Sequence, residues 1–398
     1  MLKYNKTYIF FLLSFFLLCD VDAKIIVGAE QTQTYLPLIK NKNIALVVNQ
    51  TSLIAKKHLV DSLLSLQIKI INIFAPEHGF RGDHSAGEKV NSTIDVKTGL
   101  PIISLYGSHK KPTVDDLKNI DVVIFDIQDV GARFYTYIST LHYVMEACAE
   151  QNIELIILDR PNPNGHYVDG PVLDLKFQSF VGMHPVPVVH GMTVGEYAQM
   201  INGEKWLNNG IQCNLKIIKV QNYTHDSMYK LPVRPSPNLP TMEAIYLYPS
   251  LCFFEGTNYS VGRGTNKPFE CVGKPGNAIG DYHFTPKSIP GIADHPPQEG
   301  KDCKGFLLSK FANNYLKGSG KIYLFCLIDM YKNDTAKTKF FNDFFDKLAG
   351  SDQLRKHITE GKSEGEIRSY WKKDLEKFKI IRKKYLLYRD FTLIIIPE

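Results

Sequence analysis

A short segment of the sequence, FAPEHGFRGDHSAGEKV at residues 74–90, follows an apolar run and is dense in ionisable side chains. Carboxylates and imidazoles this close together can act as general acids and bases, or they can bind a metal ion. We therefore interpret the segment as the edge of an active site rather than as an ordinary turn. Glu77 is the leading candidate and His78 and Arg81 support it, whereas Asp83, His84 and Glu88 are expected to hold the shape of the loop.

A pair of carboxylic acids is the chemistry that best suits this pattern. Glycoside hydrolysis uses one carboxylic acid to protonate the leaving oxygen and a second group as base, nucleophile or orienting group. Glu77 stands directly beyond an apolar run, where partial burial would favour the protonated carboxyl that a general acid requires. We predict Glu77 as the general acid/base, assisted by one other carboxylate, although a helix cap or a salt bridge is an alternative role for any single one. The assisting candidates are Glu255, Asp126 and Asp129.

Metal-dependent hydrolysis is an alternative use of the same segment. Glu77, His78, Asp83 and His84 are metal-ligand types, but their spacing does not match an ordered zinc motif such as HExxH. A hydrogen-bonded loop is the commoner role for such a cluster. We therefore expect no metal ion.

Several side chains suit a sugar ligand that carries a carboxylate. The stretch RFYTY supplies Phe134, Tyr135 and Tyr137, whose aromatic faces suit sugar rings, although core packing is the alternative. Arginines can bind a carboxylate through two hydrogen bonds, although an ion pair with a nearby aspartate is the alternative. The arginine candidates are Arg133, Arg160 and Arg263.

Other function classes lack their motifs. No predicted strand runs into GxGxxG, and GxxxxGK[ST] and the GxSxG nucleophile turn are absent, so we expect no nucleotide cofactor and no serine-hydrolase site. The net charge of +6 is spread along the 398 residues without a basic run interleaved with aromatics. Nucleic acid is therefore not an expected partner.

The elements of the first half predict an α/β domain with a Rossmann-like parallel sheet. Continuous apolar strands alternate there with amphipathic helices, which is typical of a sheet that is buried on both faces. Ligands of such sheets bind outside the carboxyl ends of the strands, and the polar stretches of this sequence follow those ends. The predicted strands are residues 43–49, 68–74, 101–106, 121–127 and 153–159.

The N-terminus predicts export. Lys3 and Lys6 precede an apolar run at residues 7–18, and a Val-x-Ala ending at Ala23 completes a pattern typical of a cleaved signal peptide, residues 1–23. After export the protein is expected in the periplasm, on the cell surface or outside the cell.

Six cysteines follow Ala23, and no two of them form a CxxC motif. Most of them are expected to be small core residues. One disulfide bond in the second half stays open as an alternative.

A resemblance covers about residues 40–388. The sequence resembles the NamZ-type exo-β-N-acetylmuramidase family, long known as a bacterial domain of unknown function. The motifs that carry the resemblance are long and occur in order: NQT, FAPEHGFRGDHSAGEKV, TGLPIISLYGSHKKPT, DVVIFDIQDVGARFYTYISTL, LDRPNPNG, DGPVLD, HGMTVGEYA, PSPNLPT and YPSLCFFEGTNYSVGRGTNKPFE.

The resemblance implies an exo-acting glycosidase that removes β-1,4-linked N-acetylmuramic acid (MurNAc) from the non-reducing end of peptidoglycan fragments, with MurNAc–GlcNAc saccharides as ligands. It also implies a cleft between a Rossmann-like subdomain, residues 24–180, and a smaller α/β subdomain, residues 181–398. Glu77 matches the glutamate of the family motif PEHG. Further matching positions, expected in the cleft, are His78, Arg81, Gln128, Arg133, Tyr135, Arg160, His190, Asn238, Glu255, Asn258 and Arg263.

Two alternatives to a carboxylate glycosidase stay open on the same scaffold. One is a protein that binds muropeptides without catalysis, and the other is the metal-dependent hydrolase described above.

The substituents of MurNAc fit the predicted site. Its lactyl carboxylate explains an arginine in the cleft, and its 2-acetamido group makes substrate-assisted catalysis an alternative to the two-carboxylate mechanism.

Overall fold

The computed structural model describes residues 23–80 and 93–392 of the chain. The predicted signal peptide up to residue 22 and the side chains Arg81, Asp83, His84 and Glu88 lie outside the described residues.

A seven-stranded sheet, accompanied by a short hairpin, forms the centre of the first half in the described residues. The strands of this sheet and of the hairpin are, in chain order, β1 (Ile44–Val48), β2 (Leu53–Ile54), β3 (Lys57–His58), β4 (Ile70–Ala75), β5 (Thr93–Ile94), β6 (Pro101–Ser104), β7 (Val122–Asp126), β8 (Glu154–Leu158) and β9 (Leu215–Ile218). The hairpin is β2–β3, and the order in the large sheet is β5-β6-β4-β1-β7-β8-β9. Its strands pair in parallel except at the edge, where β5 runs antiparallel to β6. The α/β parallel sheet and its predicted strands are therefore confirmed.

The central strands are apolar throughout because both faces of the sheet are covered. In β1, Ala45 and Val47 belong to one apolar cluster, whereas Ile44, Leu46 and Val48 belong to the cluster on the other face. This alternation follows from the two-residue period of a strand. The exception is Asn72 in β4, whose Nδ2 donates to the Asp116 carbonyl oxygen at 2.9 Å; the charged side chains of the central strands lie at the strand ends.

Helices pack against the sheet and recur through the second half. The helix that begins after Thr193 has a capping box, in which the Thr193 hydroxyl accepts from the Glu196 amide and the Glu196 carboxylate accepts from the Thr193 amide. The helices are α1 (Thr32–Ile39), α2 (Leu59–Ser65), α3 (Tyr137–Glu150), α4 (Val194–Gly203), α5 (Met242–Leu251), α6 (Ser309–Phe311), α7 (Lys317–Ser319), α8 (Phe325–Asn333), α9 (Phe345–Ala349), α10 (Gln353–Thr359) and α11 (Glu364–Lys383).

A smaller antiparallel sheet lies in the second half. It has the order β10-β12-β11, formed by β10 (Cys271–Lys274), β11 (Tyr282–Phe284) and β12 (Cys303–Leu307). The subdomain boundary between residues 180 and 181 stays a prediction. The last strand of the large sheet, β9, lies on the C-terminal side of that boundary.

Arg133 connects distant segments of the fold. Its side chain is fully buried, and its guanidinium donates to the carbonyl oxygens of Pro171 and Val186, and of Leu348 in the second half, at 2.7–2.8 Å. Burial lowers its pKa to about 10. The sequence suggested a carboxylate partner for this arginine, but carbonyl groups hold it instead.

The six described cysteines are all buried, and none of them forms a disulfide bond. They pack as small core residues, as expected from their spacing. Within the described ranges, no helix is both long enough and apolar enough to span a membrane.

Candidate active site

A cavity of about 390 Å³ lies where the carboxyl ends of the large sheet meet loops of the second half. The segments after β4, β6 and β7 reach it with Glu77, Tyr106 and Tyr135, as the strand-end rule predicts. The full lining is Glu77, His78, Tyr106, Phe134, Tyr135, Thr136, Tyr137, Phe180, Val181, Ser236, Asn238, Leu239, Tyr248, Glu255, Arg263, Phe269, Ala293, Asp294, Pro296 and Phe344.

Glu77 is held by hydroxyl groups. The Thr136 hydroxyl donates to its Oε2 at 2.8 Å, and the Tyr106 hydroxyl also hydrogen-bonds to the carboxylate. Burial and the neighbouring Glu77 carboxylate raise the pKa of the Tyr106 phenol well above its usual range. Tyr106 therefore stays a hydrogen-bond donor at neutral pH, and both Tyr106 and Thr136 contribute to the orientation of the Glu77 carboxylate.

A tight turn presents His78 to the cavity. His78 and Gly79 both adopt positive φ, 72° and 75°, and the Gly79 amide donates to the Pro76 carbonyl oxygen at 3.0 Å. Glycine adopts this conformation readily, whereas for histidine it costs about 1 kcal/mol or more. The strained backbone at His78 places the pair Glu77–His78 directly at the end of β4.

Glu255 supplies the second carboxylate of the cavity. It lies in a short 3₁₀ segment, Cys252–Gly256, and its Oε1 accepts from Arg263 Nε at 2.6 Å. The Arg263 guanidinium also lies 4.9 Å from the centre of the Phe269 ring. Burial alone would lower the pKa of Arg263, but the Glu255 carboxylate outweighs it and raises that pKa, so this cavity-lining cation keeps its charge.

Tyr135 and Asn238 lie close to the same loop. The Tyr135 hydroxyl donates to the Pro235 carbonyl oxygen at 2.8 Å, and Asn238 Nδ2 donates to the Ile292 carbonyl oxygen at 2.7 Å. Asn238 Oδ1 is buried and has no hydrogen-bond partner among the described residues. Because buried polar groups are nearly always hydrogen-bonded, this oxygen is a candidate acceptor for a donor of a ligand that fills the cavity.

The structure separates other predicted site residues from this lining. Asp126 and Arg160 are buried and form a two-point ion pair, with Arg160 Nε and Nη2 at 2.6 and 2.9 Å from the two carboxylate oxygens. Arg160 also donates to the Leu53 carbonyl oxygen. The predicted residues that do not line the cavity are Asp126, Gln128, Asp129, Arg133, Arg160, His190 and Asn258, while Arg81 is outside the described residues.

Gln128 and Asn258 have local roles in the loops. Gln128 Nε2 donates to the carbonyl oxygens of Asp129 and Pro161 at 2.8 and 2.7 Å. The Asn258 carbonyl oxygen accepts from the Gln298 side chain at 2.8 Å. Both residues support the loops that carry the lining rather than the lining itself.

Asp129 and His190 form a buried pair of incompletely satisfied groups. Asp129 Oδ2 accepts from the Gly131 amide at 2.5 Å, whereas Oδ1 lacks a partner in the described part of the chain. His190 Nδ1 accepts from the Met192 amide, and its Nε2 lies 4.0 Å from Asp129 Oδ2. Burial raises the pKa of Asp129 to about 7 and, aided by nearby arginines, lowers that of His190 to about 3. His190 is therefore neutral, and Asp129 titrates near neutrality.

Metal binding finds no support in the described segments, where no group of three or more His, Cys, Asp or Glu side chains is placed to hold an ion. Asp83 and His84, half of the predicted ligand set, lie outside those segments.

Several residues of the lining are not among the predicted site residues. Tyr106 follows β6 as Glu77 follows β4, so the strand-end rule could have selected it. Thr136 stands between two predicted aromatic residues. Asp294 and Phe344 belong to irregular segments far along the chain, and no local pattern marks them.

Asp129→Asn tests the buried carboxyl through the pH dependence of stability. The pKa of Asp129 is higher in the folded chain than in the unfolded one, so folding favours its protonated form, and this contribution is lost as the pH rises from about 4 through about 7. We expect the wild type to lose free energy of unfolding relative to the variant across this window, as measured by urea denaturation at several pH values. A constant difference between the two proteins from pH 4 to 8 would contradict the raised pKa.

Comparisons with known proteins agree with this architecture. The family model described as the N-terminal part of exo-beta-N-acetylmuramidase NamZ matches residues 44–243, and the corresponding C-terminal model matches residues 246–388. The peptidoglycan beta-N-acetylmuramidase NamZ of Bacillus subtilis (strain 168) is 41% identical over 374 residues, which cover 89% of each chain.

Two crystal structures of DUF1343 family proteins from Bacteroides fragilis NCTC 9343 are similar in fold. The first has a TM-score of 0.86 and 52% identity, covering 92% of this chain and 100% of its own. The second has a TM-score of 0.75 and 29% identity, covering 92% and 99%. The motifs, the two matched halves and the cavity between them agree: the chain belongs to the NamZ family of exo-β-N-acetylmuramidases, which are glycosidases.

Proposed function

We propose that this enzyme hydrolyses the β-1,4 bond of MurNAc–GlcNAc saccharides derived from peptidoglycan and releases the terminal MurNAc. One observation carries the proposal: two carboxylates from the two halves of the chain, Glu77 and Glu255, line a single cavity. The volume of about 390 Å³ lies within the range usual for small-ligand sites.

Glu77 acts as the general acid/base in this proposal. It protonates the glycosidic oxygen as the bond to the leaving sugar breaks, and Thr136 and Tyr106 hold the carboxylate in the orientation that this transfer needs. Among its three predicted assistants, only Glu255 lines the cavity. Asp126 is saturated by Arg160, and Asp129 is buried away from the lining, so Glu255 is the second carboxylate.

Arg263 recognises the lactyl carboxylate of MurNAc. Its Nε is bound to Glu255, while no described residue accepts a hydrogen bond from its two terminal nitrogens. A planar guanidinium can therefore bind Glu255 on one side and a ligand carboxylate with its remaining donors. Asn238 Oδ1 offers an acceptor to the 2-acetamido N–H of the same sugar.

Glu77→Gln tests the proton donor. We expect kcat/KM on MurNAc–GlcNAc to fall by about 10²- to 10⁴-fold, because the amide cannot transfer a proton, with little change in substrate affinity. Released MurNAc is measured by chromatography. The control variant is Glu154→Gln, which replaces a carboxylate that pairs with Lys42 away from the cavity. Native turnover by a folded Glu77→Gln variant would exclude the role, and saturable binding without product in the wild type would indicate a binding protein instead.

Arg263→Gln tests recognition of the lactyl group. Two aryl β-glycosides, one of MurNAc and one of N-acetylglucosamine, differ only by the lactyl ether. We expect the variant to lose about 10- to 100-fold of the preference for the MurNAc compound, the effect of one charge-assisted hydrogen bond pair, measured as a ratio of kcat/KM values. An equal loss on both glycosides would assign Arg263 to the support of Glu255 alone.

Export to the periplasm or the cell surface completes the proposal, because peptidoglycan lies there. Its support is the N-terminal pattern of Lys3, Lys6, an apolar run and Ala23. When the full chain is produced in a bacterium, we expect intact-mass analysis of the purified protein to give a chain that begins at Lys24. A mass that retains residues 1–23 in the mature protein would contradict cleavage at this position.

A further inference from the structure

A loop of the second half, residues 285–300, forms part of the cavity wall, and we call it the rim loop. It is tied to three neighbouring segments. The Ile292 carbonyl oxygen accepts from Asn238, the Lys287 amide donates to the Gly264 carbonyl oxygen at 2.9 Å, and Gln298 donates to the Asn258 carbonyl oxygen at 2.8 Å. These contacts hold the loop in place at the cavity, and Ala293, Asp294 and Pro296 contribute to the lining.

Asp294 is the acidic residue of the rim loop that lines the cavity. Its side chain is exposed, and its carboxylate forms no hydrogen bond and no ion pair with any described residue. Asp294 therefore caps no turn among the described residues. Glu299 of the same loop differs, because its carboxylate accepts from the Ser288 amide and contacts His295. A carboxylate at a cavity without an internal partner is an acceptor for hydroxyl groups of a ligand.

The substituents of MurNAc restrict what Asp294 can bind. Position 1 carries the bond that is cleaved, position 2 the acetamido group, whose N–H is assigned to Asn238, and position 3 the lactyl ether. The free hydroxyl groups that the terminal sugar can offer to a carboxylate are therefore those at positions 4 and 6. The 4-hydroxyl is free only at a non-reducing end, because inside a β-1,4-linked chain that oxygen belongs to the next glycosidic bond. A group that binds it recognises the chain end.

We propose that Asp294 accepts a hydrogen bond from the 4-hydroxyl of the terminal MurNAc and so restricts cleavage to the chain end. The inference rests on the proposed function, because it assigns a role in binding the same substrate. Negative charge at Asp294 repels the lactyl carboxylate on the adjacent carbon of the sugar. The lactyl group is thereby directed toward Arg263, the cation that lines the same cavity.

A cycle of two proteins and two substrates tests this contact. The wild type and Asp294→Ala are each assayed on MurNAc–GlcNAc and on the analogue with a 4-deoxy terminal sugar. We expect the wild type to lose about 10- to 100-fold in kcat/KM on the deoxy analogue, and Asp294→Ala to turn over both compounds at that reduced level. Asp294→Asn, which keeps an oxygen acceptor, should lose less than Asp294→Ala on the natural disaccharide.

Two controls separate this inference from the proposed function. Asp281→Ala removes an exposed carboxylate of the second half that does not line the cavity, and it should leave both rates unchanged. The assignment to the 4-hydroxyl is wrong if Asp294→Ala and the 4-deoxy substrate lower kcat/KM independently, so that their effects multiply. It is also wrong if the effect of Asp294→Ala is coupled to removal of the 6-hydroxyl instead, as measured with a 6-deoxy analogue. If the wild type does not cleave MurNAc–GlcNAc at all, the proposed function itself fails.

Discussion

The large parallel sheet is buried on both faces, and this constraint decides where polar chemistry can lie. Strands such as β1 and β7 are fully buried along their length, so a charged side chain within them would lose its hydration without compensation. Charges therefore collect at the carboxyl ends of the strands. Asp126, the last residue of β7, is fully buried, and it is compensated by Arg160 just after β8.

The charges at this edge divide into two groups with different partners. Asp126 is paired with Arg160, and the terminal nitrogens of Arg133 donate to three carbonyl groups, so these side chains are held by the protein and connect its loops. Removing one partner of a buried pair typically costs about 3–5 kcal/mol, because the remaining charge stays buried without compensation. A ligand at such a group would have to compete with that internal partner. The cavity residues are different, since they keep donors or acceptors that face the space between the two halves of the chain.

The parallel sheet of the first half could be predicted from sequence because its continuous apolar runs are local signals. The position of Glu77 at the cavity also followed from a local rule, since it stands just beyond β4. The same rule made Asp126 and Asp129 equally good candidates for the second carboxylate. The sequence does not show that Arg160 pairs with Asp126, or that Asp129 is buried away from the lining. Phe344 and Asp294 depend on long-range packing of irregular segments, for which the chain carries no periodic signal.

The two cavity carboxylates have different described neighbours, and this difference supports the proposed division of their roles. Glu77 has the hydroxyls of Thr136 and Tyr106 beside it, which are neutral donors. Glu255 instead accepts a charge-assisted hydrogen bond from the guanidinium of Arg263. A proton donor must be neutral before it transfers its proton, whereas a carboxylate that stabilises the transition state must carry a negative charge. In the proposed reaction, proton transfer therefore belongs to Glu77, and the paired Glu255 belongs beside the positive charge that develops on the sugar.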